Sequence, residues 1–297
     1  MRKHTALFIG IIFMAGYFSA YPETDAEASQ FLSFSCRSFQ PGEVIWARYQ
    51  ERPEVTGVQL HFQGERYNME YMGKGYAVPI GLDLNIETGV HSVHVVVGKT
   101  DGTVESFTRE LEIHSKEFPV KKLWVEEKFV TPPAEVTERI RRESRLLSSI
   151  YSLFTEEWLG EGSFIVPCEG EMFPNFGERR FFNEKPRSQH SGVDISAPTG
   201  TPVAAANSGR VVLATNLYYS GNAVIIDHGM GLFSIYCHFS ELRTRRGEMI
   251  SKGDIIGEVG ATGRVTGPHL HWGVKIRDSR VDPMSLVSLD LSDAPGN

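Results

Sequence analysis

Short runs of β-branched and aromatic residues, punctuated by glycine-containing turns, recur along almost the whole chain and constrain its fold most strongly. In the first half these runs are VIWARY, GVQLHF, YAVPIGL, HSVHVVVGK and TRELEIHS, with QPGE, ETG and TDG as turn signals around them. A second series, TPVAAA, GRVVLAT, NAVIIDHG, LFSIYCHFS, DIIGEVG and LHWGVKI, occupies residues 163–283. Runs and turns of this kind predict a mainly β protein in two parts.

The composition and the positions of these runs suggest a domain plan. A chain of 297 residues is long enough for two ordinary domains. Residues 26–118 are predicted to form a β-sandwich similar to immunoglobulin-like modules, because several short strands fall within roughly ninety residues. Residues 163–297 are predicted to form a second, antiparallel β domain. Residues 119–162 would connect the two.

The connector contains the one segment with a helical period, TPPAEVTERIRRESRLLSSIYSLFTEEWLG. Thr131 is positioned to cap a helix that starts with proline, and GEG at residues 160–162 would end it. The apolar residues that recur at helical spacing are Val136, Ile140, Leu147, Tyr151, Phe154 and Trp158. This stripe predicts a helix that packs on one or both domains. The alternative is a regulatory arm that covers a catalytic groove.

The N-terminal segment differs from the rest of the chain. Arg2, Lys3 and His4 precede an uncharged apolar run from Thr5 to Tyr21. A positive start followed by such a run is typical of an export signal, and its length also approaches that of a membrane-spanning helix. Residues 1–25 are therefore interpreted as a cleaved signal peptide or a retained membrane anchor. Both interpretations place the remainder of the chain outside the cytoplasm.

Charge and cysteine content exclude some classes of protein. A net charge of −7 without any basic run argues against nucleic-acid binding. The three cysteines are Cys36, Cys168 and Cys237, and in an exported chain an odd number leaves at least one unpaired. A Cys36–Cys168 disulfide is conceivable. Because no CxxC occurs, a zinc site built from cysteines is not expected.

Two histidines in GPHLHWG, residues 267–273, carry the first chemical signal. Side chains alternate along a strand, so His269 and His271 project to one face while Leu270 points to the other. Two imidazoles on one face make a poor hydrophobic core. They are well suited to holding a metal ion, or a metal ion and a proton.

Further candidate ligands stand on other predicted strands. QHSGVDIS places His190 and Asp194 four residues apart, which on an extended segment puts both on one face, and LFSIYCHFS contributes His238. Nitrogen and oxygen ligands without sulfur suit a catalytic Zn²⁺, which typically takes three protein ligands. The two histidines left over are then available for proton transfer and for stabilising an oxyanion.

The segments HSGVDISAPTGTPVAA, GNAVIIDHGMGLFSIYCHFS and TGRVTGPHLHWGV resemble the lysostaphin-type, LytM-like zinc peptidases that cut peptidoglycan. The resemblance covers residues 163–285. It implies that His190, Asp194 and His271 bind zinc, while His269 and His238 lie beside the reacting water. His269 is the candidate for taking the proton of that water. His238 is the candidate for stabilising the oxyanion and for passing a proton to the leaving amine.

The resemblance also implies a setting. The substrate would be the peptide stems or cross-links of peptidoglycan, and the location would be the periplasm or cell envelope. A β-rich module and a helix before such a domain are common in envelope proteins, so residues 26–118 are expected to act in spacing or in docking to an envelope partner.

Several neighbouring residues receive secondary expectations. Gly192 and Gly267 lie beside candidate ligands, where close backbone approach or a positive φ is needed. Arg179 would orient a substrate carboxylate or form a surface ion pair. His228 would close a turn, and Asn222 would act either in the groove or in a turn. Cys237, next to His238 on a strand, would face the opposite way into the core.

Three other functions compete with this one. A relative that has lost catalysis would bind cell wall or activate another hydrolase, and its zinc content would reveal it. The glycine-rich segments also resemble halves of lipoyl or biotin carriers, but no lysine-bearing hairpin flanked by methionines is present. A zinc amidase, or a peptidase of secreted proteins, is the third alternative.

Overall fold

The computed structural model describes residues 28–291, without the side chains of residues 186–188. The predicted signal or anchor at residues 1–25 lies outside the described part. Within residues 28–291 no helix is both long enough and apolar enough to cross a membrane. The mainly β prediction is confirmed, because strands form most of the regular structure in both halves.

Seven strands follow a short 3₁₀ helix at Ala28–Phe31. They are β1 (Leu32–Ser35), β2 (Val44–Gln50), β3 (Val55–Phe62), β4 (Glu65–Tyr71), β5 (Gly75–Gly81), β6 (Gly89–Lys99) and β7 (Val104–Ile113). Their order in the sheet is β1-β2-β5-β4-β3-β6-β7. We call this sheet the N-terminal module. Its immunoglobulin-like character stays a prediction.

Local sequence explains the strand pairs of the N-terminal module. Gln63 and Gly64 connect β3 to β4 with φ values of +53° and +78°, which is the backbone of a tight hairpin turn. In β6, Val93, Val95 and Val97 are completely buried at every second position. This period of two is what HSVHVVVGK predicted, and it turns one face of the sheet towards a core.

The connector contains β8 (Val120–Leu123), α1 (Glu127–Val130) and α2 (Ala134–Tyr151). Two expectations about its helix are wrong. Thr131 follows the short α1 and does not cap α2, whose N-cap is Pro133 without a side-chain hydrogen bond. The helix ends at Tyr151, so Phe154 and Trp158 lie beyond it. Beyond Tyr151 the backbone bonds to the turn between residues 227 and 232 instead, through the Thr155 carbonyl oxygen and the Leu159 N–H.

The rest of the chain is strand-rich. It contains β9 (Glu171–Phe173), β10 (Arg179–Phe182), β11 (Lys185–Gln189), β12 (Gly192–Ser196), β13 (Pro202–Ala204), β14 (Gly209–Leu217), β15 (Gly221–Asp227), β16 (Leu232–Phe239), β17 (Glu241–Leu242), β18 (Met249–Ile250), β19 (Ile255–Glu258), β20 (Leu270–Ile276), β21 (Ser279–Val281) and α3 (Pro283–Val287). The main sheet has the order β18-β14-β15-β16-β20-β12-β9, with β21 paired to β20. Two smaller sheets have the orders β11-β10-β8 and β13-β19-β17.

One hydrophobic core crosses from the N-terminal module into the main sheet. Val44, Trp46 and Ala77 of the module belong to the same buried cluster as Trp272 and many other residues of the main sheet. The Trp46 ring meets the Trp158 ring with centroids 5.6 Å apart. The two parts of the chain are therefore packed together and are not loosely tethered.

The cysteines are all free. Cys36 packs against the core of the N-terminal module, whereas Cys168 packs against the core that is centred on the main sheet. The conceivable Cys36–Cys168 disulfide is therefore not formed. Burial raises the pKa of each of these two thiols to about 11, so both are protonated at neutral pH.

Candidate metal centre

The pairing of β12 with β20 positions the candidate ligands. These strands are antiparallel, and Asp194 lies directly opposite His271. Opposed residues in such a pair project to the same face, so the carboxylate and the imidazole meet. Leu270 and Trp272, on either side of His271, are completely buried on the other face. The prediction that His271 stands on a strand with alternating faces is confirmed.

A close approach of backbones makes this meeting possible. Gly192 pairs with Gly273. A Cβ atom at Gly192 would lie 2.4 Å from the Trp272 carbonyl oxygen and 2.8 Å from His271 Cε1. The expectation for Gly192 is thus confirmed. It is wrong for Gly267, where a Cβ would have nothing within 4 Å and φ is not positive.

Three side chains converge on one point. His190 Nε2 lies 2.8 Å from His271 Nδ1 and 3.1 Å from Asp194 Oδ1. His271 Nδ1 lies 3.0 Å from the same oxygen. In a tetrahedral site with bonds of about 2.0–2.1 Å, ligand atoms stand about 3.3 Å apart. The three atoms therefore form a triangle of nearly the size that one Zn²⁺ requires, and the donor set of two imidazoles and a carboxylate suits that ion.

Hydrogen bonds orient each candidate ligand. His190 donates from Nδ1 to the carbonyl oxygen of Asn175 at 3.0 Å, which leaves its Nε2 lone pair directed at the triangle. Asp194 Oδ2 accepts from Asn175 Nδ2 and from Arg180 Nη2, each at 2.9 Å. Only Oδ1 then remains for a metal. Such outer contacts fix the tautomer and the orientation of metal ligands.

Burial and charge set the protonation states. Burial alone would raise the pKa of Asp194, but its close contacts with the imidazoles of His190 and His271 outweigh burial and hold this pKa far below its usual range. Burial lowers the pKa of His271 to about 4, so its imidazole is neutral near pH 7. An ionised carboxylate and a neutral imidazole are the forms that bind a metal ion.

His238 and His269 lie beside the triangle. The His238 ring centroid is 4.9 Å from that of His269 and 6.2 Å from that of His271. His238 donates from Nδ1 to the Thr262 carbonyl oxygen at 2.8 Å, and His269 donates from Nδ1 to the Gly267 carbonyl oxygen at 2.9 Å. In their neutral forms both rings therefore keep an unprotonated Nε2. Burial lowers the pKa of His238 to about 3.

The backbone at His238 corrects the expectation that Cys237 and His238 face opposite ways. Cys237 pairs with His271 and so lies on the ligand-bearing face, where it is buried in a cluster with Ile150 of α2. Regular alternation would turn His238 to the opposite face. A φ of +71° at His238, unusual for any residue but glycine, brings its ring back towards His271. Strained backbone of this kind concentrates at functional sites.

The converging side chains lie in a cleft of about 510 Å³. The connector forms part of its wall, because Lys121, Leu123 and Val125 line it from β8 and the residues that follow, and Tyr151 lines it from the end of α2. The lining cations are Lys121, Arg180 and Arg264, whereas Asp194 is the one carboxylate among the described lining residues. Positive side chains therefore outnumber negative ones in the cleft, whereas the chain as a whole has a net charge of −7. The idea that the connector regulates the cleft stays a prediction.

Other residues singled out in the sequence have structural roles. Arg179 is exposed and its expected role stays a prediction, whereas its neighbour Arg180 pairs with Asp194. His228 is fully buried and bonds to Ser208 and Ser234, while its backbone N–H closes the turn to Leu232 as expected. Asn222, at the start of β15, donates from Nδ2 to the carbonyl oxygens of residues 239 and 240 at the end of the paired β16.

Asn175 and Arg180 are the contributors that the sequence did not reveal. Arg180 stands two residues before Phe182 on β10, and both line the cleft. Side chains alternate along a strand, so Arg180 and the buried Phe182 share one face of β10. This spacing was the available sequence signal for Arg180. Asn175 lies in a turn, and no periodicity marks it.

The fold and the converging side chains define a β-sheet metal centre with the ligand number of catalytic zinc sites. Residues 188–283 match Peptidase family M23, so this part of the chain is a domain of that family. The resemblance to lysostaphin-type peptidases is thereby confirmed at the level of the family. The matched segment contains all five histidine and aspartate candidates.

Two curated relatives are similar to this domain. Peptidoglycan DD-endopeptidase ShyA of Vibrio cholerae is 41% identical over 120 residues, which is 40% of this chain and 28% of the relative. DD-carboxypeptidase/endopeptidase Mpg of Neisseria meningitidis is 41% identical over 98 residues, which is 33% of this chain and 23% of the relative. The chain thus spans roughly a quarter of the length of these relatives.

A solved structure is similar over a longer stretch. A Pseudomonas aeruginosa protein assigned to peptidase M23 by structural genomics superposes with a TM-score of 0.65 at 27% identity. The superposition covers 85% of this chain and 96% of that one. Since residues 163–297 are less than half of the chain, the likeness extends into the N-terminal module.

Proposed function

We propose that this protein is a zinc-dependent endopeptidase that hydrolyses peptide cross-links of bacterial peptidoglycan. The observation that carries the proposal is the convergence of His190, Asp194 and His271 within 3.1 Å of one another, with two more histidines beside them. The match to a peptidase family and the names of the two relatives support the same reaction class.

The proposed ligands are His190 through Nε2, Asp194 through Oδ1 and His271 through Nδ1. A Zn²⁺ held by them would polarise the peptide carbonyl and make a water nucleophilic near neutral pH. Asn175 and Arg180 bind Oδ2 of Asp194 and so turn its Oδ1 towards the metal. The cleft supplies room for an extended peptide beside these groups.

His269 is our candidate for the general base. Its Nδ1–H is engaged with the Gly267 carbonyl oxygen, so the neutral ring accepts a proton at Nε2 from the attacking water. We propose that the proton which Nε2 has gained passes on through His238, whose ring centroid is 4.9 Å from that of His269, and this restores the neutral His269 ring.

His238 is our candidate for oxyanion stabilisation and for proton delivery. Because its Nδ1–H is engaged with Thr262, a neutral His238 has no N–H to offer the oxyanion. It becomes a donor only after Nε2 gains a proton. The buried ring disfavours that charge at rest, so the charged form would exist only while negative charge develops opposite it.

The charge of the cleft supports an acidic peptide as substrate. Three cations and one carboxylate line it in a chain whose net charge is −7. Peptide stems that carry free carboxylates fit this balance better than glycine bridges, which are neutral. We propose that the cross-link is of the directly linked, carboxylate-bearing kind.

The location and the division of the chain are parts of the same proposal. A peptidoglycan substrate places the protein in the cell envelope. An export signal or anchor at residues 1–25 would agree with that location. We propose residues 26–118, 119–162 and 163–297 as its module, connector and peptidase domain. An envelope protein remains our proposed partner for the module.

Digestion of purified peptidoglycan tests the proposal. We expect the full chain to release stem peptides from carboxylate-bearing cross-links, with new amine ends identified by mass spectrometry, and to be inhibited by chelators. Asp194→Ala is the matched inactive control. If the well-folded protein holds no zinc, binds to cell wall and cuts no cross-link, it would instead be a binding module.

A further inference from the structure

The segment 175–180 touches the metal centre on one side and the N-terminal module on the other. Towards the metal centre, Asn175 bonds to His190 through its carbonyl oxygen and to Asp194 through its side-chain amide. Asn175 Oδ1 also accepts from the backbone N–H of Asp194 at 3.1 Å. One residue thus holds two of the three candidate ligands.

Backbone hydrogen bonds fix the rest of the segment to the same ligand. His190 donates its backbone N–H to the Glu178 carbonyl oxygen at 2.9 Å, and its own carbonyl accepts from Gly177 at 2.7 Å. Arg180 links Glu178 to Asp194 with bonds of 2.8 and 2.9 Å. A displacement of segment 175–180 would therefore move the ligands with it.

The other side of the segment is pressed against residues far away in sequence. Phe176 is buried, and a Cβ on Gly42 of the N-terminal module would lie 2.3 Å from its Cε1 atom. The Phe118 ring meets the Phe176 ring edge-on with centroids 6.3 Å apart. A Cβ at Gly177 would lie 2.1 Å from Phe118 Cδ1. These contacts leave the segment no free space on this side.

Ion pairs hold the module at this contact. Glu43, next to Gly42, is almost completely buried and pairs with Arg37 at 2.7 Å and with Lys116 at 3.4 Å. Arg37 also pairs with Asp282 at 2.6 Å, and the Asp282 backbone N–H donates to the Gly42 carbonyl oxygen at 2.7 Å. Gly42 is therefore fixed to both parts of the molecule.

We propose that the N-terminal module, through the contact of Gly42 with Phe176, positions Asn175 and so sets the affinity of His190, Asp194 and His271 for their metal. The module is then part of the support of the metal centre, in addition to any docking role. The inference rests on the proposed function only in that these three side chains bind a metal.

Metal affinity of the full chain tests the proposal without any substrate. Zinc dissociation constants are measured by competition with a chromogenic chelator, for wild type and for Gly42→Ala. The alanine methyl must push the Phe176 ring by about 1 Å to reach ordinary contact distance, and loss of outer contacts costs typically 10–100-fold in metal affinity. We expect Gly42→Ala to weaken zinc binding by about tenfold.

The matched control is Gly64→Ala. Gly64 has a similar positive φ of +78° in the same module, but a Cβ there would meet nothing within 4 Å. It therefore has the same backbone penalty without the contact to Phe176, and its zinc affinity should equal that of wild type. If Gly42→Ala does not fold, Phe176→Leu, which keeps an apolar side chain and removes the ring contact, takes its place.

A double-mutant cycle separates positioning from general destabilisation. Asn175→Ala should weaken zinc binding by about 10–100-fold. If Gly42 acts through Asn175, the double variant should lose much less affinity than the product of the two single effects. Wild-type affinity in Gly42→Ala, or effects that simply multiply, would overturn the proposal. Absence of zinc binding by the wild type would instead remove the proposed function.

Discussion

Replacing Gly192 by alanine should damage the metal centre through one methyl group. Gly192 faces Gly273 across the β12–β20 pair, two residues from the Asp194–His271 pair. The new Cβ would lie 2.4 Å from the Trp272 carbonyl oxygen and 2.9 Å from Gly273 Cα. Both atoms belong to the backbone, so they cannot move aside by a change of rotamer.

The size of the effect follows from these contacts. To restore an ordinary separation from the carbonyl oxygen, the strands must part by about 0.6–1 Å, and overpacking of this kind typically costs about 1–3 kcal/mol. For a chain of this size the melting temperature should fall by roughly 2–5 °C. Ligand geometry tolerates errors of only about 0.5 Å, so zinc affinity should fall at least about tenfold.

Two measurements check this, a thermal unfolding curve of the metal-free protein and a chelator competition for zinc. Gly267→Ala is the control, because its methyl would enter open space beside the same ligands. It should match wild type in both measurements. If Gly192→Ala kept wild-type melting temperature and zinc affinity, the claim that backbone proximity brings Asp194 to His271 would be refuted.

Three further outcomes are expected. Alanine at any one of the three proposed ligands should abolish zinc binding and peptidoglycan hydrolysis together, measured by metal analysis and product release. His238→Ala and His269→Ala should retain zinc but lose about 10²–10⁴-fold in kcat, the usual contribution of a general acid or base, and a metal-free variant would contradict the ligand assignment. Burial lowers the pKa of His228 to about 4 from an unfolded value of about 6.5, so its contribution to stability is complete above pH 6.5 and falls by about 3 kcal/mol as the pH drops towards 4. Denaturant unfolding of chelated protein should show this loss, and His228→Gln should remove about 3 kcal/mol of it while the losses due to His238 and His271 remain. A variant with the same pH dependence as wild type would contradict the assignment.

The sequence predicted which side chains meet at the centre because that information is local. His269 lies just before β20 and His271 is the second residue of that strand, and their rings lie 3.8 and 3.0 Å from Asp194 Oδ1. The neighbouring Leu270 and Trp272 are buried, as the period of two requires. The close approach at Gly192 also followed from its position beside a ligand, although the same reasoning was wrong for Gly267. Such patterns depend on a few consecutive residues and survive folding unchanged.

The parts that failed depend on tertiary contacts. The apolar stripe predicted a helix through Trp158, but α2 ends at Tyr151 and Trp158 packs on Trp46 of the N-terminal module instead. A conceivable disulfide failed because Cys36 and Cys168 lie in different cores. Helical spacing and cysteine counting carry no information on which core a residue joins.

The boundary of the family match bears on how the centre works. The match begins at residue 188, yet the groups that orient Asp194 come from Asn175 and Arg180, before that boundary. A ligand set can therefore be recognised from its own segment, while its geometry is determined by residues outside that segment. Since Phe176 in turn packs on Gly42, affinity for the metal is expected to depend on residues more than 130 positions from the ligands in sequence. Residues 188–283 alone contain every proposed ligand but lack the contacts that leave Asp194 a single free oxygen.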